Sequence, residues 1–350
     1  MKHHSVLLTG GSGFIASHIL DALLRRRYWV TVTVRSEEKG LRLQKNYPED
    51  LRPRISFTVV EDIVQEGAFD NAVKVQPFDY IIHTACPYHF NFTDPIADFI
   101  DPAVKGTVGI LKSAKAYAPT VKRVVLLSSS ATILNPFNHS KVYDETVHGE
   151  TSWEQAMNPR LAYRASKIFA EKAAFEFIST EKPPFDLVVL NPPLVFGPAP
   201  SHLVSLDALN TSNQRIRDLV LGKFRSPDGD STIPPTGPVY IFCDVRDVAE
   251  AHVKALEAGP EASGQRFFLV GGYFSNKRLA DAVRITHTGL ANKLPDENKV
   301  VDDMPEDVYG WDNEKSRRVL GLEYRDLQTC VNDSVEAILR IAEQEGVSSA

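Results

Sequence analysis

Ser5-Val6-Leu7-Leu8-Thr9-Gly10-Gly11-Ser12-Gly13-Phe14-Ile15-Ala16 decides the fold class of this chain. Ser5 to Leu8 is a short apolar run of the kind that forms a strand. Beyond the glycines, Ser17 to Arg27 places Ile19, Leu20, Leu23 and Leu24 on one helical face. Strand, glycine turn and helix in that order are the context a dinucleotide-binding turn requires. Gly10 and Gly13 allow a tight turn and a close backbone approach to a pyrophosphate, and the small Ala16 allows the helix to pack on the strand. The helix N-terminus then turns free N–H groups and a positive dipole end toward the phosphates. Thr9, Gly10, Ser12, Gly13, Phe14 and Ile15 are the expected cradle.

Trp29 to Val34 reads as the second strand. An NAD site usually has a carboxylate at this strand end to hold the ribose hydroxyls. Here the strand ends in Arg35 and Ser36, with Lys39 close behind. An arginine forks onto a 2′-phosphate and stacks on an adenine, so the expected cofactor is NADP(H). Ile55 to Val60 is a third strand ending at Asp62 and Ile63, where Asp62 would accept the adenine amino group or cap the next helix. Phe78 to Thr84 is the fourth, leading into Ala85, whose small side chain would let a cofactor lie across the strand ends. Ile96 to Ala116 reads as a long helix broken near Pro102. Strand and helix patterns alternate from residue 5 to 196, which predicts an α/β fold with a Rossmann-type, doubly wound parallel sheet.

The fifth strand, Lys122 to Leu127, enters Ser128-Ser129-Ser130. Ligands bind at such strand ends in doubly wound sheets, so one serine would hydrogen-bond a substrate carbonyl while the others cap the turn. The next helix, Arg160 to Ile178, carries Tyr163 and Lys167. Residues four apart share a helix face. A cation beside a phenol favours the phenolate, which suits proton transfer. The sixth strand, Asp186 to Leu190, ends in a proline turn containing Pro192 and Val195.

After residue 196 the rhythm breaks. Residues 197–239 and 272–326 are expected to form a smaller substrate lobe. The NADP-binding core, 1–196, is rejoined by about 240–271 and by a terminal helix, Leu327 to Glu343. Asp247 reads as a helix N-cap and Asp244 as a brace for the core. Phe90, Phe92, Leu134, Phe137, Val195 and Phe196 are candidate pocket residues, each apolar and near a predicted strand end. The net charge of −6 over 350 residues and the lack of long basic runs argue against a nucleic-acid partner. No apolar stretch approaches the roughly 20 residues that span a bilayer. Three widely spaced cysteines form neither a disulfide framework nor a metal pattern, which points to a reducing compartment, the cytosol by default.

These motifs together resemble the extended short-chain dehydrogenase/reductases: Thr9-Gly10-x-x-Gly13-x-x-Ala16, Ser128-Ser129-Ser130, Tyr163-x-x-x-Lys167 and Asp244-Val245-Arg246-Asp247-Val248-Ala249, in that order. Gly13-Phe14-Ile15-Ala16-Ser17-His18, Pro102-Ala103-Val104-Lys105-Gly106-Thr107 and Asn191-Pro192-Pro193 resemble the dihydroflavonol reductase-like branch, which includes fungal and yeast NADPH-dependent aldehyde and ketone reductases of the methylglyoxal-reductase type. Many extended members carry an asparagine where this chain has Ala103. The resemblance implies hydride transfer from NADPH to a carbonyl, with Tyr163 protonating the alkoxide. Lys167 would tune the phenol and hold the nicotinamide ribose, and Ser130, or else Ser129, would position the carbonyl oxygen. Pro192 to Val195 would pack the nicotinamide. It implies a small-molecule carbonyl substrate, no metal, and a monomer or homodimer. Two other readings stand beside it: a nucleotide-sugar epimerase or dehydratase of the same superfamily, and a non-catalytic NADP-binding regulator.

Overall fold

The computed structural model describes residues 4–86, 94–225 and 232–347. The strands are β1 (Ser5–Thr9), β2 (Trp29–Val34), β3 (Ile55–Val59), β4 (Tyr80–His83), β5 (Arg123–Leu127), β6 (Val142–Tyr143), β7 (Asp186–Asn191), β8 (Leu194–Phe196), β9 (Ile241–Asp244), β10 (Arg266–Phe268), β11 (Gly272–Tyr273) and β12 (Gly310–Trp311). The α-helices are α1 (Phe14–Arg25), α2 (Glu37–Lys45), α3 (Asp70–Lys74), α4 (Asp101–Tyr117), α5 (Trp153–Ala156), α6 (Pro159–Glu181), α7 (Thr211–Val220), α8 (Val245–Glu257), α9 (Asn276–Thr286), α10 (Glu314–Leu320) and α11 (Leu327–Gln344).

Seven strands form one sheet in the order β10-β7-β5-β4-β1-β2-β3, and every pairing in it is parallel. The order reverses direction at β1, between β4 and β2, which is the switch point where such sheets open a ligand crevice. One face is filled by Ile19, Leu20 and Leu23 of α1 with Val248, Ala251 and Val253 of α8. The other is filled by Ile110, Leu111 and Ala114 of α4 with Ala174 and Phe177 of α6. Burial on both faces explains why the central strands are continuous apolar runs rather than alternating ones.

The helix expected over 96–116 has two parts. Ile96–Ile100 is a wide turn with i→i+5 hydrogen bonding, and α4 begins at Asp101 with Pro102 in its first turn. The wide turn runs directly into α4, so the change from i→i+5 to i→i+4 bonding falls beside Pro102, whose ring and missing N–H disfavour an unbroken α-helix. Two expectations change. Helix α11 does not close the nucleotide-binding core. Its Val331, Val335, Ile338 and Ile341 pack with Ile216 and Leu219 of α7, Leu279 and Val283 of α9, and Phe196 and Phe242 of β8 and β9, forming a second apolar core. The aspartates also exchange roles. Strand β9 runs on to Asp244, which caps α8 by accepting from Arg246 N at 2.8 Å, whereas Asp247 lies inside the helix and accepts from Arg325 N at 2.8 Å. Among the described residues no helix is long and apolar enough to cross a membrane.

Candidate active site

The site begins at the glycine turn. Gly10 has φ +71°, and a Cβ there would sit 3.1 Å from the Ala85 backbone. A left-handed residue pressed against the next strand end has to be glycine. A Cβ on Gly11 would lie 2.5 Å from Val32, so this position packs tightly too. Helix α1 starts at Gly13 with no side-chain cap and no acidic residue in its first turn. Its leading N–H groups and dipole are therefore left for an anion. Ser12 and Gly13 are exposed and Phe14 and Ile15 half-buried, so the rim of the turn is open. Thr9, expected among the cofactor contacts, is fully buried, and its hydroxyl joins β1 to β4 instead. It accepts from Thr84 N and Ala85 N, both at 3.1 Å, and meets His83 Nδ1 at 2.9 Å.

Arg35 is exposed just past β2, and Ser36 caps α2 by accepting from Lys39 N. Arg35 and Lys39 thus stand at the start of α2 beside the turn; the first turn of α2 also carries Glu37 and Glu38, so the two cations, not the helix end, are what suits a phosphate there. Asp62 is exposed beyond β3 and accepts from Val64 N at 2.9 Å, a local turn rather than a helix cap. Ile63 packs against Gly106 of α4. The backbone around the turn, its uncapped helix and these cations together fit a dinucleotide phosphate.

Thr84, Ala85, Ser128 and Lys167 line one small pocket with His83, Cys86, Ala103, Thr107 and Glu171. The expected cofactor and catalytic positions from β4, β5 and α6 therefore converge. Lys167 Nζ is 5.9 Å from the centre of the Tyr163 ring. Burial pulls the Lys167 ammonium down, but Cys86, Tyr163 and Glu171 around it more than compensate, leaving its pKa raised. Lys167 is thus held as a cation beside the phenol. The edge of Phe99, from the wide turn before α4, meets Tyr163 with ring centres 6.5 Å apart.

The three serines have separate jobs. Ser128 gives its hydroxyl to Glu171. Ser129 accepts from Ala131 N at 3.1 Å, capping the short turn Ser130–Thr132. Ser130 is fixed by its backbone, N to Pro192 O at 2.8 Å, and its turn packs on α6. Its hydroxyl is uncommitted among the described residues.

Sequence reasoning missed the support beneath this turn. Glu171 receives Thr132 Oγ1 at 3.0 Å and Asn191 Nδ2 at 2.8 Å, and its other oxygen lies 2.6 Å from Arg266 Nε. Arg266 also donates to the carbonyls of Glu145 and Val147 and to Thr132 Oγ1. Glu171 and Arg266 are each 5% exposed. The available signal was spacing, because Glu171 follows Lys167 by one further helical turn.

The pocket candidates fare unevenly. Phe196 is fully buried against Phe242 and Phe274, and Leu134 is 2% exposed in a cluster with Tyr143 and Phe268, so neither offers surface to a ligand. Phe137 is 69% exposed. Val195 is buried in the sheet core, while Pro192 holds the serine turn through its carbonyl. Phe90 and Phe92 lie outside the described residues.

The chain belongs to the NAD dependent epimerase/dehydratase family, whose model matches residues 6–271. Within that class it is similar to a ketoreductase, azaE, of Aspergillus niger, at 58% identity over 96% of this chain and 98% of that protein. It is also 35% identical to the NADPH-dependent methylglyoxal reductase GRE2 of Saccharomyces cerevisiae, over 96% of this chain and 98% of that one. The structure of yeast methylglyoxal/isovaleraldehyde reductase Gre2 complexed with NADPH superposes with a TM-score of 0.88 at 33% identity, covering 98% of this chain and all of the other.

Proposed function

We propose that this protein is an NADPH-dependent carbonyl reductase that turns an aldehyde or ketone into an alcohol. The observation that carries the reading is Lys167, held as a cation 5.9 Å from the centre of the Tyr163 ring, in a pocket with Ala85, against whose backbone the Gly10 turn packs. The Gly10–Gly13 turn and the bare N-terminus of α1 would hold the pyrophosphate, and Arg35 with Lys39 the 2′-phosphate. NADPH supplies the hydride when bound. Ser130 donates a hydrogen bond to the substrate carbonyl oxygen, polarising it. Tyr163 gives its phenolic proton to that oxygen as negative charge develops there. Lys167 stabilises the phenolate left behind and would hold the nicotinamide ribose. The relatives named as a ketoreductase and as an NADPH-dependent methylglyoxal reductase support both the carbonyl substrate and the choice of NADPH. The cysteines form no disulfide with one another, which suits a reducing compartment such as the cytosol.

Loss of reduced-nicotinamide absorbance over a panel of ketones, diketones and aldehydes, with NADH run in parallel, tests the reading. Turnover of at least one carbonyl compound with a marked preference for NADPH is expected. Silence across the carbonyls alongside conversion of a nucleotide sugar would replace the reading with an epimerase or dehydratase.

A further inference from the structure

His83 ends β4 and is 3% exposed. Its Nδ1 meets Thr9 Oγ1 at 2.9 Å, and that oxygen already accepts from Thr84 N and Ala85 N. A hydroxyl oxygen has two lone pairs and one proton. With both lone pairs engaged, the Thr9 proton goes to His83 Nδ1. The imidazole proton must then sit on Nε2. Burial, with a smaller push from Lys167, lowers the His83 pKa to about 3, so the ring stays neutral and this tautomer persists. Nε2 is buried and has no hydrogen-bond partner among the described residues. A buried donor without a partner is uncommon and calls for a bound ligand or water.

His83 lines the same pocket as Lys167, Thr107 and Glu171. The space there is about 10 Å³, close to what one water needs. An ammonium has three donors, of which Lys167 directs one at the Cys86 sulfur. We propose that this pocket is a single-water site in which His83 Nε2–H and the Lys167 ammonium both donate to the water, making His83 a positioning residue for Lys167. The water's own protons are then free for Thr107 Oγ1 or a carboxylate oxygen of Glu171, which gives it the three or four partners typical of a buried water. The aim of the ammonium toward Tyr163 is set by this water from one side and by Cys86 from the other. The kinetic part of the proposal rests on the reductase reading; the water site does not.

Two substitutions separate the pocket donor from the Thr9 contact. His83→Phe keeps the ring volume and removes both hydrogen bonds. His83→Gln loses the Thr9 contact but carries an N–H donor toward the pocket. A high-resolution crystal structure of the cofactor-free wild type should show one ordered water within hydrogen-bond distance of both Nε2 and Nζ. Nitrogen-15 shifts of labelled histidine should report Nε2 as the protonated nitrogen. In turnover with a carbonyl substrate, His83→Phe should lower kcat about tenfold, the scale of one hydrogen bond to a charged group, while KM for the carbonyl compound changes little. His83→Gln should recover most of that loss. An absent water or an Nδ1-protonated ring overturns the site. Equal kcat for the two variants overturns the positioning role, because a purely structural contact through Thr9 is broken in both. If no carbonyl compound is reduced, the function and with it the positioning role fall, while the crystallographic and nitrogen-15 results still decide the water site.

Discussion

Glu171→Ala is the perturbation that most directly tests how the fold supports the chemistry. In the wild type the Glu171 carboxylate faces Arg266 at 2.6 Å, and both side chains are 5% exposed. Removing one member of a buried ion pair typically costs about 3–5 kcal/mol, because the other is left as an uncompensated charge. Arg266 would keep the carbonyls of Glu145, Val147 and Thr132, which places the loss near the lower end, about 3 kcal/mol. Ser128 and Asn191 would also lose an acceptor. Urea denaturation followed by circular dichroism measures the loss. Arg266→Ala alone should cost a similar amount, and the double variant should fall short of the sum by up to about 3 kcal/mol, the coupling expected of residues in direct contact. A second consequence separates this network from ordinary core packing. Glu171 holds the turn that carries Ser130, whereas the glycine turn rests on β1 and β2. Turnover should therefore drop more than NADPH affinity in Glu171→Ala. A destabilisation below about 1 kcal/mol, the value of an exposed pair, would mean that water reaches the network and would refute the argument.

Tyr163→Phe should reduce turnover by about 10²–10⁴-fold, the usual contribution of a positioned proton donor, with NADPH binding by fluorescence titration nearly unchanged; full activity would sink the assigned role. Arg35→Ala should lower the kcat/KM preference for NADPH over NADH by roughly 10- to 100-fold, as one charged hydrogen bond is lost, and an unchanged ratio would remove Arg35 from the cofactor site. His252 is fully buried, its Nδ1 donates to Val248 O at 2.7 Å, and burial lowers its pKa from 6.5 to about 4. Between those two values the unfolded chain binds a proton that the folded chain does not, so this group's contribution to stability falls as pH falls. The slope is up to about 1.4 kcal/mol per pH unit. His252→Gln should accordingly gain on the wild type as urea midpoints are compared from pH 6.5 down to 5; a constant difference would show that His252 titrates alike in the folded and unfolded chains.

The elements that were legible in the sequence are those whose local chemistry has one outcome. Gly10 adopts a left-handed conformation against Ala85, and only a glycine does so without strain. Tyr163 and Lys167 share a face because four residues make about one helical turn. The single misplacement of a whole element, α11, has a different cause. Its apolar stripe announces that it packs on something, but periodicity cannot say on which of two cores. The burial of Phe196 was hidden for the same reason. Phe196 lies at a strand end, but the next strand over supplies Phe242 and the lobe supplies Phe274, which seal it. The Glu171–Arg266 pair joins residues 95 positions apart, and no local pattern encodes such a meeting.

Helix α6 gathers these observations into one physical arrangement. Tyr163, Lys167 and Glu171 sit at i, i+4 and i+8 on one stripe of a helix anchored at its start by Asn158 and Pro159. In the proposed reaction the first is the proton donor; the second is its neighbouring cation, and the third anchors the turn that carries Ser130. A shift of α6 along or about its axis would move all three together, so their mutual geometry survives while their relation to β5 and β7 is fixed by Glu171 through Thr132 and Asn191. This division explains why a buried ion pair lies under the site although burying charge favours neither stability nor solubility. A site on rigid elements keeps its donors aimed before any substrate arrives, and preorganisation of that kind is where transition-state stabilisation comes from. Phe99 reaches Tyr163 from the wide turn at 96–100, an irregular segment outside the α6 stripe. The surroundings of Tyr163 therefore include an element outside α6, which can vary while the Tyr163–Lys167–Glu171 stripe is held.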